Sequence, residues 1–166
     1  MTVQINYKNS VLKKTFSNLV LFTGENFNIS ALNNHISRDE LSYISDLLKT
    51  SDLKKDILSF KINSKKTIFL VSVKKDIKIS DIENLGAKFH GYLNQDKKKE
   101  YFVNSDTIKS KIKNFVGYFL HGLKLKSYEF NIYKTDKKKI RDKNINLTVF
   151  GNSIQKTNLL RDKLKA

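Results

Sequence analysis

Hydrophobic and polar positions along this chain follow two different periods, and the points where the period changes divide it into strands and helices. "NLVLF" (Asn18–Phe22) is a short apolar run that ends at Gly24 and predicts a buried strand. "SRDELSYISDLLK" opens on Ser37 with Glu40 three residues on, the pattern of a capping box. Leu41, Ile44, Leu47 and Leu48 then fall on one helical face. "DILSFKIN" and "TIFLVSV" are β-branched and aromatic runs separated by "SKK", which predicts a hairpin. The second run, Thr67–Val73, is apolar almost throughout and is expected to be central in a sheet.

"SDIENLGAKFHGYLN" repeats the helix signature. Ser80 and Glu83 are spaced as a capping box, and Ile82, Leu85, Phe89 and Leu93 recur at helical intervals. "KEYFVNSD" reads as a short strand closing at a polar turn. From Ser105 a long helix is expected, carrying Ile108, Ile112, Phe115, Val116, Phe119, Leu120 and Leu123. Gly117 and Gly122 each cost about 1 kcal/mol relative to Ala inside a helix. Their place in the most apolar helix therefore points to a neighbouring element that approaches closely. "NINLTVF" before Gly151 is a further strand, and "SIQKTNLLRDKLKA" predicts a last amphipathic helix with Leu159, Leu160 and Leu164. Strands interleaved with helices give an α/β class, three layers α/β/α around a mixed sheet.

Length changes the picture little: 166 residues favour one domain. No apolar run reaches the roughly 18–20 residues of a membrane helix, and "MTVQINYKNSVLKK" lacks a signal peptide's apolar core, so a cytoplasmic protein without a membrane partner is expected. The lack of cysteine excludes disulfides, thiolate zinc sites and a cysteine nucleophile. The net charge of +16 favours polyanions. Yet arginine, which grips phosphate and guanine in a fixed fork, stands only at positions 38, 141 and 161. Abundant Lys, Asn and Ile with no Pro or Trp is the drift of an AT-rich coding sequence, so much of the charge reads as solvated surface.

Candidate chemistry is sparse. His35, His90 and His121 are too far apart for a helical metal pair, and no site residue is assigned to catalysis, cofactor or metal. Acidic pairs such as Asp39–Glu40 and Asp81–Glu83 sit in first turns of helices, where the macrodipole accounts for them. The glycines form no G-x-G-x-x-G or G-x-x-x-x-G-K loop, and no serine lies in a G-x-S-x-G elbow. The chain by itself is expected not to be an enzyme. One segment carries two readings. Tyr128, Phe130 and Tyr133 follow the long helix at spacings of two and three, which suggests an irregular crossing with its rings packed inside. Aromatics among lysines also stack bases, so Lys134, Lys137, Lys138, Lys139, Arg141 and Lys143 are candidate contacts to DNA.

At these residues the chain resembles a known family. "GYFLHGLKLKSYEFNIYKT" is similar to the segment preceding the catalytic half of leucyl (cytosol) aminopeptidases. Gly122, Leu125, Ser127, Tyr128, Phe130, Tyr133, Lys134 and Thr135 stand at the positions of that pattern. "KISDIENLGAKFHGYL", with Gly86 at its centre, resembles an upstream segment of the same family. The likeness runs from about Ile57 to the end. It implies a macro-domain-like N-terminal domain over 1–151, with 152–166 beginning the helix that leads to a catalytic domain. In the family that second domain holds two divalent metals, zinc or manganese, and carries the signature Asn-Thr-Asp-Ala-Glu-Gly-Arg-Leu. Nothing like the signature occurs in this chain, so no catalytic or metal residue carries over. The implied partners are a catalytic domain of the same polypeptide, a homohexamer and, as in some bacterial members, DNA. The macro-like fold also suggests ADP-ribose, against which the missing Gly-rich loop argues.

Overall fold

The computed structural model describes residues 2–8, 18–93, 100–108, 110, 112–134 and 144–151, with side chains in the last helix described as far as Tyr128. Among the described residues six strands form one mixed sheet: β1 (Thr2–Lys8), β2 (Asn18–Thr23), β3 (Ile57–Lys61), β4 (Thr67–Ser72), β5 (Glu100–Asn104) and β6 (Asn144–Phe150). Their order across the sheet is β1-β6-β5-β2-β4-β3. All neighbours are parallel except β3, which returns antiparallel to β4 as the predicted hairpin. β2 and β4 lie inside the sheet and are covered on both faces, which is why both read as unbroken apolar runs.

The side chains of the sheet divide by strand parity into two cores. Val20, Phe22, Phe69, Val71 and Tyr101 pack beneath α2 (Ile79–Leu93) and α3 (Phe115–Lys134). Leu19, Leu21, Ile68, Leu70 and Phe60 pack on the opposite face with α1 (Arg38–Leu48). The three-layer α/β/α expectation therefore holds. Among the described residues no helix is long and apolar enough to cross a membrane.

α1 begins where the sequence places it. The Ser37 hydroxyl accepts from Glu40 N at 3.2 Å, and Glu40 Oε1 accepts from Ser37 N at 3.1 Å. Glu40 also meets Lys66 Nζ at 2.6 Å. Burial alone would raise the Glu40 pKa, but the hydrogen bonds from Lys66 and Ser37 outweigh it and hold the carboxyl below its usual range. One side chain thus caps α1 and ties it to the β3–β4 turn.

Three expectations need correction. The capping box at the start of α2 does not involve Ser80, which lies inside the helix. Asp81 Oδ2 accepts from Lys78 N at 3.1 Å, and the Glu83 carboxylate is turned to His121. The long helix does not start at Ser105. Ser105–Thr107 is a 3-10 turn, Asn114 takes a left-handed φ of 61°, and regular α-helix begins at Phe115. The largest difference lies at the other end, where α3 continues to Lys134 through the segment expected to be an irregular crossing. The spacings of two and three between positions 128, 130 and 133 do not repeat the 3.6-residue period, which obscured the helix. Tyr128 is 59% exposed rather than packed inside; the side chains of Phe130 and Tyr133 lie outside the described residues.

Gly86 and Gly122 explain the seam between α2 and α3. A Cβ on Gly86 would stand 1.9 Å from the Phe119 carbonyl oxygen, and one on Gly122 would stand 1.9 Å from the Glu83 carbonyl oxygen. The two backbones touch reciprocally, each glycine admitting the other helix. Beneath this seam Phe119 meets Phe22 and Phe89 at ring-centre separations of 5.3 and 5.7 Å.

Candidate functional site

Following β2, the chain adds β4 on one side and later β5 on the other, which makes the C-terminal end of β2 a topological switch point. Open α/β sheets characteristically bind ligands in the crevice there. A crevice of about 230 Å³ occupies this position, lined by Phe22, Thr23, Gly24, Asn28, Ser30, Ala31, Leu32, Val73 and Thr107. Its walls come from the ends of β2, β4 and β5 and from the 3-10 turns after β2.

Hydrogen bonds fix these walls. The Thr107 hydroxyl accepts from Phe22 N at 3.0 Å and donates to Asn104 O at 2.8 Å, which fastens the turn after β5 to β2. Asn28 Oδ1 accepts from Ser30 N at 3.1 Å. Just behind, Asn104 Nδ2 lies 3.0 Å from His35 Nδ1, joining β5 to the segment before α1. Asn26 and Phe27 both adopt φ of 57°. For Phe27 this is a strained conformation costing about 1–3 kcal/mol, and burial of its ring holds it in place.

The crevice offers hydroxyl, amide and backbone groups over an apolar floor. None of its lining side chains ionises near neutral pH, so it contains no base to activate a nucleophile. Its groups can hold and orient a neutral or polar ligand. Among the described residues, no three His, Asp or Glu side chains converge as metal ligands.

Of the lysines and the arginine that the sequence marks as candidate contacts to nucleic acid, Lys134 ends α3 and its side chain is not described. Lys137, Lys138, Lys139, Arg141 and Lys143 lie outside the described residues. Of the histidines, His121 Nδ1 is 2.7 Å from Glu83 Oε2 across the α2–α3 seam. His90 is buried in the same layer, and desolvation, reinforced by Lys126, pushes its pKa below the ordinary value. The His121–Glu83 contact joins the two helices. Sequence reasoning missed the crevice because its wall residues come from segments scattered between positions 22 and 107; only Gly24, ending an apolar run, marks it locally.

No family model matches the sequence, and no curated protein matches it. Solved structures do. A mutant tomato leucine aminopeptidase superposes with a TM-score of 0.62 at 15% identity, over 96% of this chain and 36% of that one. The macrodomain of Thermus aquaticus DarG superposes with a TM-score of 0.57 at 7% identity, over 89% of this chain and 98% of that one. At such identities the likeness is one of fold: the chain is a macro-domain-like α/β domain, spanning little more than a third of the aminopeptidase it is similar to.

Proposed function

We propose that this chain is a non-catalytic N-terminal domain of a leucyl aminopeptidase, supporting oligomer assembly or access to an active site carried by a separate catalytic domain. The observation that carries this reading is the fold likeness over 96% of the chain to 36% of a leucine aminopeptidase. It agrees with the residue pattern from Gly122 to Thr135, and extends to the N-terminal part that the pattern does not reach. In this reading two divalent metals, zinc or manganese, belong to the catalytic domain. The present residues contribute a folded body whose α2–α3 layer and crevice are fixed by backbone contacts and hydrogen bonds. The setting is the cytoplasm and the assembly a hexamer.

Catalysis needs at least about 8 kcal/mol of barrier lowering, and the crevice holds no acid, base or nucleophile pair to provide it. The purified chain, supplied with manganese or zinc and leucine p-nitroanilide, is expected to release p-nitroaniline no faster than buffer. Metal-dependent turnover above that background would refute a non-catalytic role.

A further inference from the structure

We propose that the outer edge of β3 docks an extended acidic peptide, which adds a strand to the sheet while one of its carboxylates enters a lysine-walled depression at the start of β3. β3 ends the described sheet. Its hydrogen-bond phase is fixed at both ends: Ser72 N donates to Asp56 O at 2.9 Å, and Ile62 N donates to Lys66 O at 2.9 Å. In an antiparallel pair the bonding residues alternate, so Leu58 and Phe60 face β4 while Ile57, Ser59 and Lys61 turn their backbone groups outward. An independent contact agrees with this phase, because the Tyr92 hydroxyl donates to Ile57 O at 2.9 Å from outside the β3–β4 ladder. The outward N–H and C=O of Ser59 and Lys61 meet no further strand among the described residues, and both side chains are exposed. Such a row of unpaired groups is a template for strand addition.

The second observation is chemical. Where the open edge begins, a depression of about 460 Å³ is lined by Lys54, Lys55, Asp56, Ile57, Lys88 and Tyr92. Its one carboxylate, Asp56, is already ion-paired with Lys88. Lys54, Lys55 and the neighbouring Lys61 have no ion-pair partner among the described residues. Burial, aided by the Asp56 charge, raises the Tyr92 pKa, so its phenol remains a donor. Three uncompensated ammonium groups beside an open edge select an acidic strand. A second copy of this chain, itself carrying +16, would oppose lysine to lysine.

The test uses the whole chain and fluorescence anisotropy of a short fluorescein-labelled peptide of alternating glutamate and valine. Binding is expected, with a lysine-for-glutamate peptide binding at least about tenfold more weakly, the equivalent of about 1.4 kcal/mol. A peptide N-methylated on alternate backbone nitrogens should also lose about tenfold, since each lost hydrogen bond is worth about 1 kcal/mol. Ser59→Pro removes an outward N–H that makes no bond within the sheet and should weaken binding similarly with the circular dichroism spectrum retained. Should that variant misfold, the N-methylated peptide decides on the unmodified chain. Lys54→Glu with Lys55→Glu should abolish the preference for the acidic peptide. Amide exchange of Ser59 and Lys61 should slow on binding. The proposal is overturned if the acidic peptide does not bind. It is equally overturned if N-methylation leaves affinity unchanged while an oligonucleotide competes, because the depression then reads charge alone.

Discussion

Replacing Gly122 with valine should destabilise the chain by about 3 kcal/mol or more, a shift readily seen in urea unfolding. The added Cβ would meet the Glu83 carbonyl oxygen at 1.9 Å, its carbonyl carbon at 2.6 Å and its Cα at 2.7 Å. All three are backbone atoms of a packed helix, so no side chain can rotate out of the way. α2 and α3 would have to separate, and that movement would loosen the Phe89–Phe119 contact beneath them. Gly91, on the same helix as Gly86, supplies the contrast. Nothing lies within 4 Å of a Cβ built there. Gly91→Ala should therefore stabilise by about 0.5–1 kcal/mol through helix propensity alone. Equal effects at the two sites would contradict the close backbone seam.

Phe119→Ala is expected to cost about 3–5 kcal/mol, while Tyr128→Ala on the same helix should change stability by no more than about 0.5 kcal/mol. Phe119 is fully buried and meets Phe22 edge-on, at an interplanar angle of 84°. Removing its ring leaves a cavity between α3 and the sheet and ends contacts with two other rings. Tyr128 stands 59% exposed on the far side of the helix. Thermal or urea denaturation of both variants measures the contrast. A large loss at Tyr128 with a small one at Phe119 would reverse the orientation of α3.

Much of the architecture was legible in the sequence because burial on both faces writes itself into composition. Val20, Leu21, Phe69 and Leu70 are consecutive apolar pairs, and only an interior strand tolerates both members. The hairpin and the α1 capping box were legible for a similar reason, each being a local pattern with a local cause. β1 was missed although Val3, Ile5 and Tyr7 alternate with Gln4 and Asn6, the period of a strand covered on one face. Its sequence lies at the N-terminus and pairs with β6, more than 130 residues on, a partner no local window contains.

α3 shows the opposite failure. Its first half has a clean apolar stripe, Phe115, Phe119 and Leu123, whereas Leu125 and Tyr128 carry apolar surface onto the solvent side. Period reasoning assumes that apolar positions face inward; two exposed ones were enough to make a continuous helix look broken. The expectation that Gly122 admits a neighbour was sound, since a costly residue in an otherwise favourable helix needs a reason. What the sequence could not say was that Gly86 does the same from the other side, which depends on the crossing of two helices. The crevice and the β3 edge were likewise illegible. Both are assembled from strand ends and hydrogen-bond phase, which appear only once strand order is fixed.

The proposed aminopeptidase role rests on fold likeness and a segment of residue pattern, and under it the chemistry lies outside these 166 residues. Sequencing the coding region immediately downstream of Ala166 tests this most directly. An in-frame continuation bearing Asn-Thr-Asp-Ala-Glu-Gly-Arg-Leu is the predicted result. A stop codon directly after Ala166, leaving this domain to act alone, would contradict it.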